Sequence, residues 1–155
     1  MKKKPVIITI VIVAVAAILI GGGVYLYPHL VERTISQVVD NDMTDVVEIE
    51  LSNGTYGGRA EVTDKNDIKE ITEQFSNIKV KKSIIQTFLG AGSSLSLTMV
   101  NSDNTTIEIT FEAGVRINGT RYNYDRKLID PIIDSIDKHY NLTTPAPREE
   151  YIIVK

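Results

Sequence analysis

The sequence contains no cysteine and only two histidines. Without cysteine there are no disulfide staples and no thiolate nucleophile. A lipoprotein is also excluded, because lipid attachment after export needs a cysteine. Histidine chemistry is almost as thin. His29 falls at the end of a long apolar run, and His139 near the end of the last predicted helix. Neither has a nearby serine and helper acid in a recognisable motif, so no catalytic triad is indicated. His139 reads as a cation-capable residue at a helix carboxyl end. Basic charge is also scarce. Seventeen Lys+Arg, less the three at the amino terminus, leave 14 against 20 Asp+Glu, a net charge of about −6 after the apolar run. That balance argues against nucleic-acid binding and against docking on anionic lipid.

One feature is abundant, and it comes first. From Pro5 to Tyr27 there are 23 residues without a charge. As a helix they span roughly 34 Å, slightly more than a hydrocarbon core of about 30 Å. Lys2, Lys3 and Lys4 precede the run, and Tyr25 and Tyr27 close it. Basic residues favour the cytoplasmic side and aromatic rings the headgroup layer, so the amino terminus is expected inside and the rest outside. Cleavage is the competing reading, at Ala14-Val15-Ala16 or, better placed, after Gly21-Gly22-Gly23. The length of the run exceeds the usual signal core and favours retention as an anchor.

The remainder divides into a polar connector over 31–45, an α+β domain over 46–140 and a tail over 141–155, with the anchor over 1–30. VVEIELSNGTYGGRAEVT alternates as a hairpin. A two-residue Asn53-Gly54 turn would set Leu51 opposite Tyr56, Ile49 opposite Gly58, Val47 opposite Ala60 and Glu48 opposite Arg59. Thr63 or Asp64 then caps a helix whose Ile68, Ile71, Phe75 and Ile78 share one face. IKVKK follows as a strand. SLSLTMVNSDNTTIEITFE makes a second hairpin with a Ser102-Asp103-Asn104 loop, pairing Met99 with Ile107, Leu97 with Ile109 and Leu95 with Phe111. Asn118-Gly119 turns a third, setting Ile117 against Thr120 and Val115 against Tyr122. The last helix presents Leu128, Ile129, Ile132, Ile133, Ile136 and Tyr140 on one face, and starts or kinks at Asp130-Pro131. The order is β-β-α-β-β-β-β-α, an α+β fold with an antiparallel sheet and helices on one face.

VTDKNDIKEITEQFSNIKVKK and the later INGTRYNY, behind a short uncleaved helix, resemble small Gram-positive membrane-anchored envelope proteins of a domain family of unknown function. An envelope that does not depend on disulfides suits the missing cysteines. The resemblance implies location and fold, and it transfers no activity, cofactor or site.

Several patterns invite a chemical reading. DNDMTD (Asp40 to Asp45) resembles a calcium loop, but Asp45 and Leu51 stand where Gly and Glu are needed, so a solvated linker is favoured. LGAGSS (Leu89 to Ser94) lacks the lysine and the helix of a phosphate loop. Asp130, Asp134 and Asp137 share a helical face and read as solvated rather than as acid–base partners. The sequons at Asn53, Asn104, Asn118 and Asn141 read as incidental, three of them in turns where Asn serves the backbone. No catalytic, cofactor-binding or metal-ligating residue is predicted. Partner-binding candidates are Tyr122 and Tyr124, against a core reading, and Tyr151, Ile152, Ile153 and Val154, whose strand propensity suits pairing with this sheet or a partner's. The expected function is a membrane-anchored, extracytoplasmic, non-enzymatic binding or accessory module contacting an envelope protein, a peptide or a wall polymer. The alternative is an envelope hydrolase or transferase with an unrecognised carboxylate site.

Overall fold

The computed structural model describes residues 4–41, 43–86 and 95–144. It opens with one helix, α1 (Lys4–Leu30), long and apolar enough to cross a membrane. Its side chains from Val11 onward are exposed on all sides, as in Ile18, Leu19 and Val24. A helix apolar all round needs lipid or protein around it. A signal sequence meets the same requirement of length and composition.

The chain then enters the sheet at once. β1 (Glu32–Thr34) pairs antiparallel with β4 (Lys79–Lys82), setting Glu32 against Lys81 and Thr34 against Lys79. Helix α2 (Ile35–Val39) begins at a capping box in which the Thr34 hydroxyl accepts from Gln37 N–H and the Gln37 side chain accepts from Thr34 N–H. Ile35 and Met43 are fully buried. The segment read as a polar connector is therefore part of the folded unit. Val38 and Val39 pack against the same core, and β1 pairs with a strand some 47 residues away, a contact no local pattern announces.

β2 (Val46–Asn53) and β3 (Arg59–Val62) form the first hairpin, followed by α3 (Lys65–Ser76). Beyond β4 come β5 (Leu95–Asn101), β6 (Thr106–Phe111), β7 (Val115–Ile117), β8 (Thr120–Tyr124) and α4 (Arg126–His139). Among the described residues the sheet has eight strands in the order β1-β4-β8-β7-β6-β5-β2-β3, each pair antiparallel. The class is α+β, as the periodicities predict. The string β-β-α-β-β-β-β-α is one strand short between the helices, because the Asn118-Gly119 turn divides 115–124 into β7 and β8.

Strand alternation puts Ile49, Leu51, Leu97, Met99, Ile109, Phe111, Val115 and Ile117 on one buried face. The helices cover that face. Asp64 caps α3, and its carboxylate accepts from Asn66 and Asp67 N–H. Ile68, Ile71 and Phe75 point to the sheet, and the Phe75 ring meets Phe111 at 5.3 Å. Helix α4 starts at Arg126, capped by Asp125, so the helix does not begin at Asp130 and Pro131 lies inside it.

The second and third hairpins have the registers that alternation dictates. Leu95 faces Phe111, Leu97 faces Ile109 and Met99 faces Ile107, with Asn104 left-handed at φ 65°. Asn118 (φ 45°) and Gly119 (φ 79°) form the tight turn, and Val115 faces Tyr122. The first hairpin differs. Leu51 faces Ala60 and Ser52 faces Arg59, so Arg59 is not opposite Glu48. The loop is longer because Asn53 is not a turn-centre residue. Its backbone N–H donates to Gly58 O, and its side-chain oxygen accepts from Thr55 and Tyr56 N–H. Gly57, at φ 75°, takes the left-handed position. The shift is even, so every side chain keeps its face.

Candidate binding surface

Tyr122 and Tyr124 sit on β8 with their side chains toward the helices, opposite Lys82 and Val80. Both are half-buried and pack against the core. The Tyr124 ring meets Phe111 edge-on at 5.6 Å, and its hydroxyl donates to Glu112 O at 3.5 Å. Burial pushes the Tyr124 phenol above its ordinary range. Asp130 adds to the shift and Arg126 opposes it. Burial likewise raises Tyr122, against a smaller opposing influence from Arg33. Both rings therefore stay neutral at physiological pH and act as apolar walls with a polar tip.

Beside Tyr124 a groove of about 760 Å³ runs between the end of α3, strand β4 and the first turns of α4. Its walls are mainly Ile78, Val80, Tyr124, Leu128, Ile129 and Ile132, with Glu32, Lys79, Lys81 and Asp125 at the edges. Leu128, expected in the core, is 68% exposed. With α4 beginning at Arg126, Leu128 falls in the first turn, which lines the groove instead of covering the sheet. A second hollow of about 610 Å³ lies beside α3, walled by Met43, Val46, Ile68 and Thr72. Lys69 and Glu73 at its edge are 3.8 Å apart and largely exposed, so that pair contributes little.

The acidic face of α4 departs from expectation. Asp130 and Asp134 are exposed, but Asp137 is buried. Asn53 donates to one Asp137 oxygen at 3.0 Å, while the other oxygen has no hydrogen-bond partner. Burial raises its pKa. The Asn53 bond works the other way, and Asp134 adds to the rise. The β2–β3 turn covers this end of α4, which helical periodicity alone does not reveal. Asp137 lines neither groove, and Asn53 sits over it as a structural clasp.

At the end of α4, His139 packs edge-on to Tyr140 at 4.7 Å. They border a small hollow of about 100 Å³ with Asp67 and Glu70. Burial raises the Tyr140 phenol first, and the nearby Asp67 carboxylate raises it further. In the DNDMTD stretch, Asn41 accepts from Met43 N–H and Met43 is buried. Among the described residues no three His, Cys, Asp or Glu side chains gather as a metal site. Leu89 to Ser94 lies outside the described residues, as do Tyr151, Ile152, Ile153 and Val154.

Two features of this surface escape sequence reasoning. One is the exposure of Leu128. The other is Ile84 and Ile85, 66% and 54% exposed directly after β4. A search of protein-family models, curated proteins and solved structures finds no match to this chain.

Proposed function

We propose that the chain is a single-pass membrane protein of the cell envelope, with its amino terminus cytoplasmic and its α+β domain extracytoplasmic. It acts as a non-enzymatic binding or accessory module. The observation that carries this reading is the groove beside Tyr124. It is apolar, open and long enough for a few residues of a partner's chain, and its wall includes the exposed Leu128. A peptide segment with apolar side chains fits such a channel, with Asp125 at the edge to engage its polar backbone. The hydrolase or transferase alternative calls for a carboxylate beside a pocket. The buried carboxylate Asp137 is engaged by Asn53 away from the groove and lends it no support.

The test is site-specific photocrosslinking in intact cells. A photoreactive side chain at Leu128 should give a discrete adduct, and one at Val47, exposed on β2, should not. Equal labelling from both positions, or none from Leu128, would refute the groove as the binding surface.

A further inference from the structure

Strand β1 leads away from the end of α1, and β4 runs antiparallel to it, so β4 returns toward the anchor. The return is fixed by a contact. The ring nitrogen Nδ1 of His29 meets Lys82 O at 3.2 Å. If α1 fills the hydrocarbon up to Tyr27, His29 lies only about 3 Å beyond it, within the headgroup layer. Ile84 follows Lys82 by two residues, roughly 7 Å of extended chain.

The turn that holds Ile84 and Ile85 is tightly built. Ser83 is buried, its N–H donates to Arg121 O at 3.0 Å, and its hydroxyl donates to Ile85 O at 2.9 Å. The Gln86 side chain donates to Ser83 O and Arg121 O, and accepts from Arg121 N–H at 2.9 Å. The Ser83 and Gln86 side chains are thus engaged by backbone groups, while two large aliphatic side chains are exposed. The turn presents an apolar tip, braced by side-chain bonds to β8.

Charge is segregated to match. On the sheet face away from the helices, β7 and β8 set Arg116 against Arg121, and β4 carries Lys79 and Lys81. The far strands carry Glu48, Glu50, Glu61 and Glu108, with Glu50 directly opposite Glu61. The Arg116–Arg121 and Glu50–Glu61 pairings each set like charges in direct opposition, which is unfavourable within a sheet. The basic strands are those beside the anchor, where Glu32 is the acid paired to Lys81. The net acidity of the chain conceals this local excess.

We propose that the 83–86 turn seats the domain on an anionic phospholipid surface. Ile84 and Ile85 enter the interface, and Lys81 and Lys82 meet the lipid phosphates. The proposal rests on reading α1 as a membrane anchor. Amphipathic seating of this kind combines apolar burial with attraction of basic side chains to anionic headgroups.

The absence of cysteine makes the test clean. The full chain carrying Ile85→Cys is labelled with a polarity-sensitive fluorophore and placed in phosphatidylglycerol or phosphatidylcholine nanodiscs. Val47→Cys serves as the exposed control. In phosphatidylglycerol, the label at 85 should shift to the blue and lose most of its quenching by acrylamide, while the label at 47 stays quenched. Lys81→Glu with Lys82→Glu should restore quenching at 85 without altering 47. Equal quenching at both positions in a chain that has entered the disc overturns the seat and leaves the anchor standing. Equal protection in phosphatidylcholine overturns the anionic preference. A chain that never enters the disc overturns the anchor and the seat together.

Discussion

Gly58→Ala isolates the contact between the first hairpin and the carboxyl end of α4. A Cβ built on Gly58 would lie 2.5 Å from Leu142 C and 2.6 Å from its Cα, and closer still to its carbonyl oxygen. These are backbone atoms, which cannot rotate aside. The segment they belong to is well fixed. Asn141 is left-handed at φ 55°, Leu142 N–H donates to Asp137 O, and Asn141 N–H donates to Lys138 O, a Schellman closure. Leu142 itself is fully buried. Admitting the methyl group therefore means expelling Leu142, at about 1.5–3 kcal/mol. It also strains the Asn53–Asp137 bond, worth about 1.5–3 kcal/mol when one partner is charged. A loss of about 3–6 kcal/mol follows, opposite in sign to the ~0.4–1 kcal/mol that Gly→Ala gains through the unfolded chain at an unobstructed site. At roughly 4 °C per kcal/mol, thermal unfolding followed by circular dichroism in detergent should fall by about 12–24 °C. Leu142→Ala should remove much of that penalty, so the double variant should be far less destabilised than the two single losses added. An unchanged or higher Tm for Gly58→Ala, or strict additivity with Leu142→Ala, would refute the contact.

Three further outcomes are expected. Asp137 binds its proton more tightly folded than unfolded, so its contribution to stability is greatest at acid pH and is lost as pH rises from about 4 through its raised folded value. Asp137→Asn keeps an acceptor for Asn53 and should raise Tm relative to the parent at pH 7 but not at pH 4; a difference that ignores pH counts against the assignment. Asn118→Ala removes both a left-handed residue and the acceptor for Glu108 N–H, at 2.9 Å, and should cost about 1–3 kcal/mol in urea unfolding; Asn118→Gly should recover the backbone part of that loss. Deleting residues 145–155, beyond the described chain, should lower Tm if Tyr151 to Val154 pair with this sheet. If they pair with a partner's sheet, deletion should leave Tm unchanged and abolish a crosslinked complex.

The parts of this fold that the sequence makes legible are those coded by neighbours. Met99 and Ile107, or Val115 and Tyr122, are brought together by a turn of two or three residues, so alternation and turn chemistry determine one register. The face of α3 needs only the spacing of Ile68, Ile71 and Phe75. Where the determining contact is distant, the local signal misleads. Asn53-Gly54 has the composition of a two-residue turn, yet the Asn53 amide is committed to Asp137, 84 residues away, and the loop lengthens to release it. The same bond explains why Asp137, read as solvated, is buried. Segment 31–45 looks like a connector because its apolar residues are few. The Ile35 N–H donates to Ile78 O beside the β1–β4 pair, a distant partner that the segment itself does not show. The groove shows the same division. The Tyr124 position on a strand is plain from its alternation, but the exposure of Leu128 in the first turn of α4 is not, because helical spacing alone sets it on the apolar face with Ile129 and Ile132. The charge on the sheet is the furthest from sequence view. Its basic half draws on β4, β7 and β8 and its acidic half on β2, β3 and β6, and these strands are interleaved along the chain, so no window of residues displays the separation. The average over the sequence is acidic, and only the strand order reveals that the side beside α1 is not.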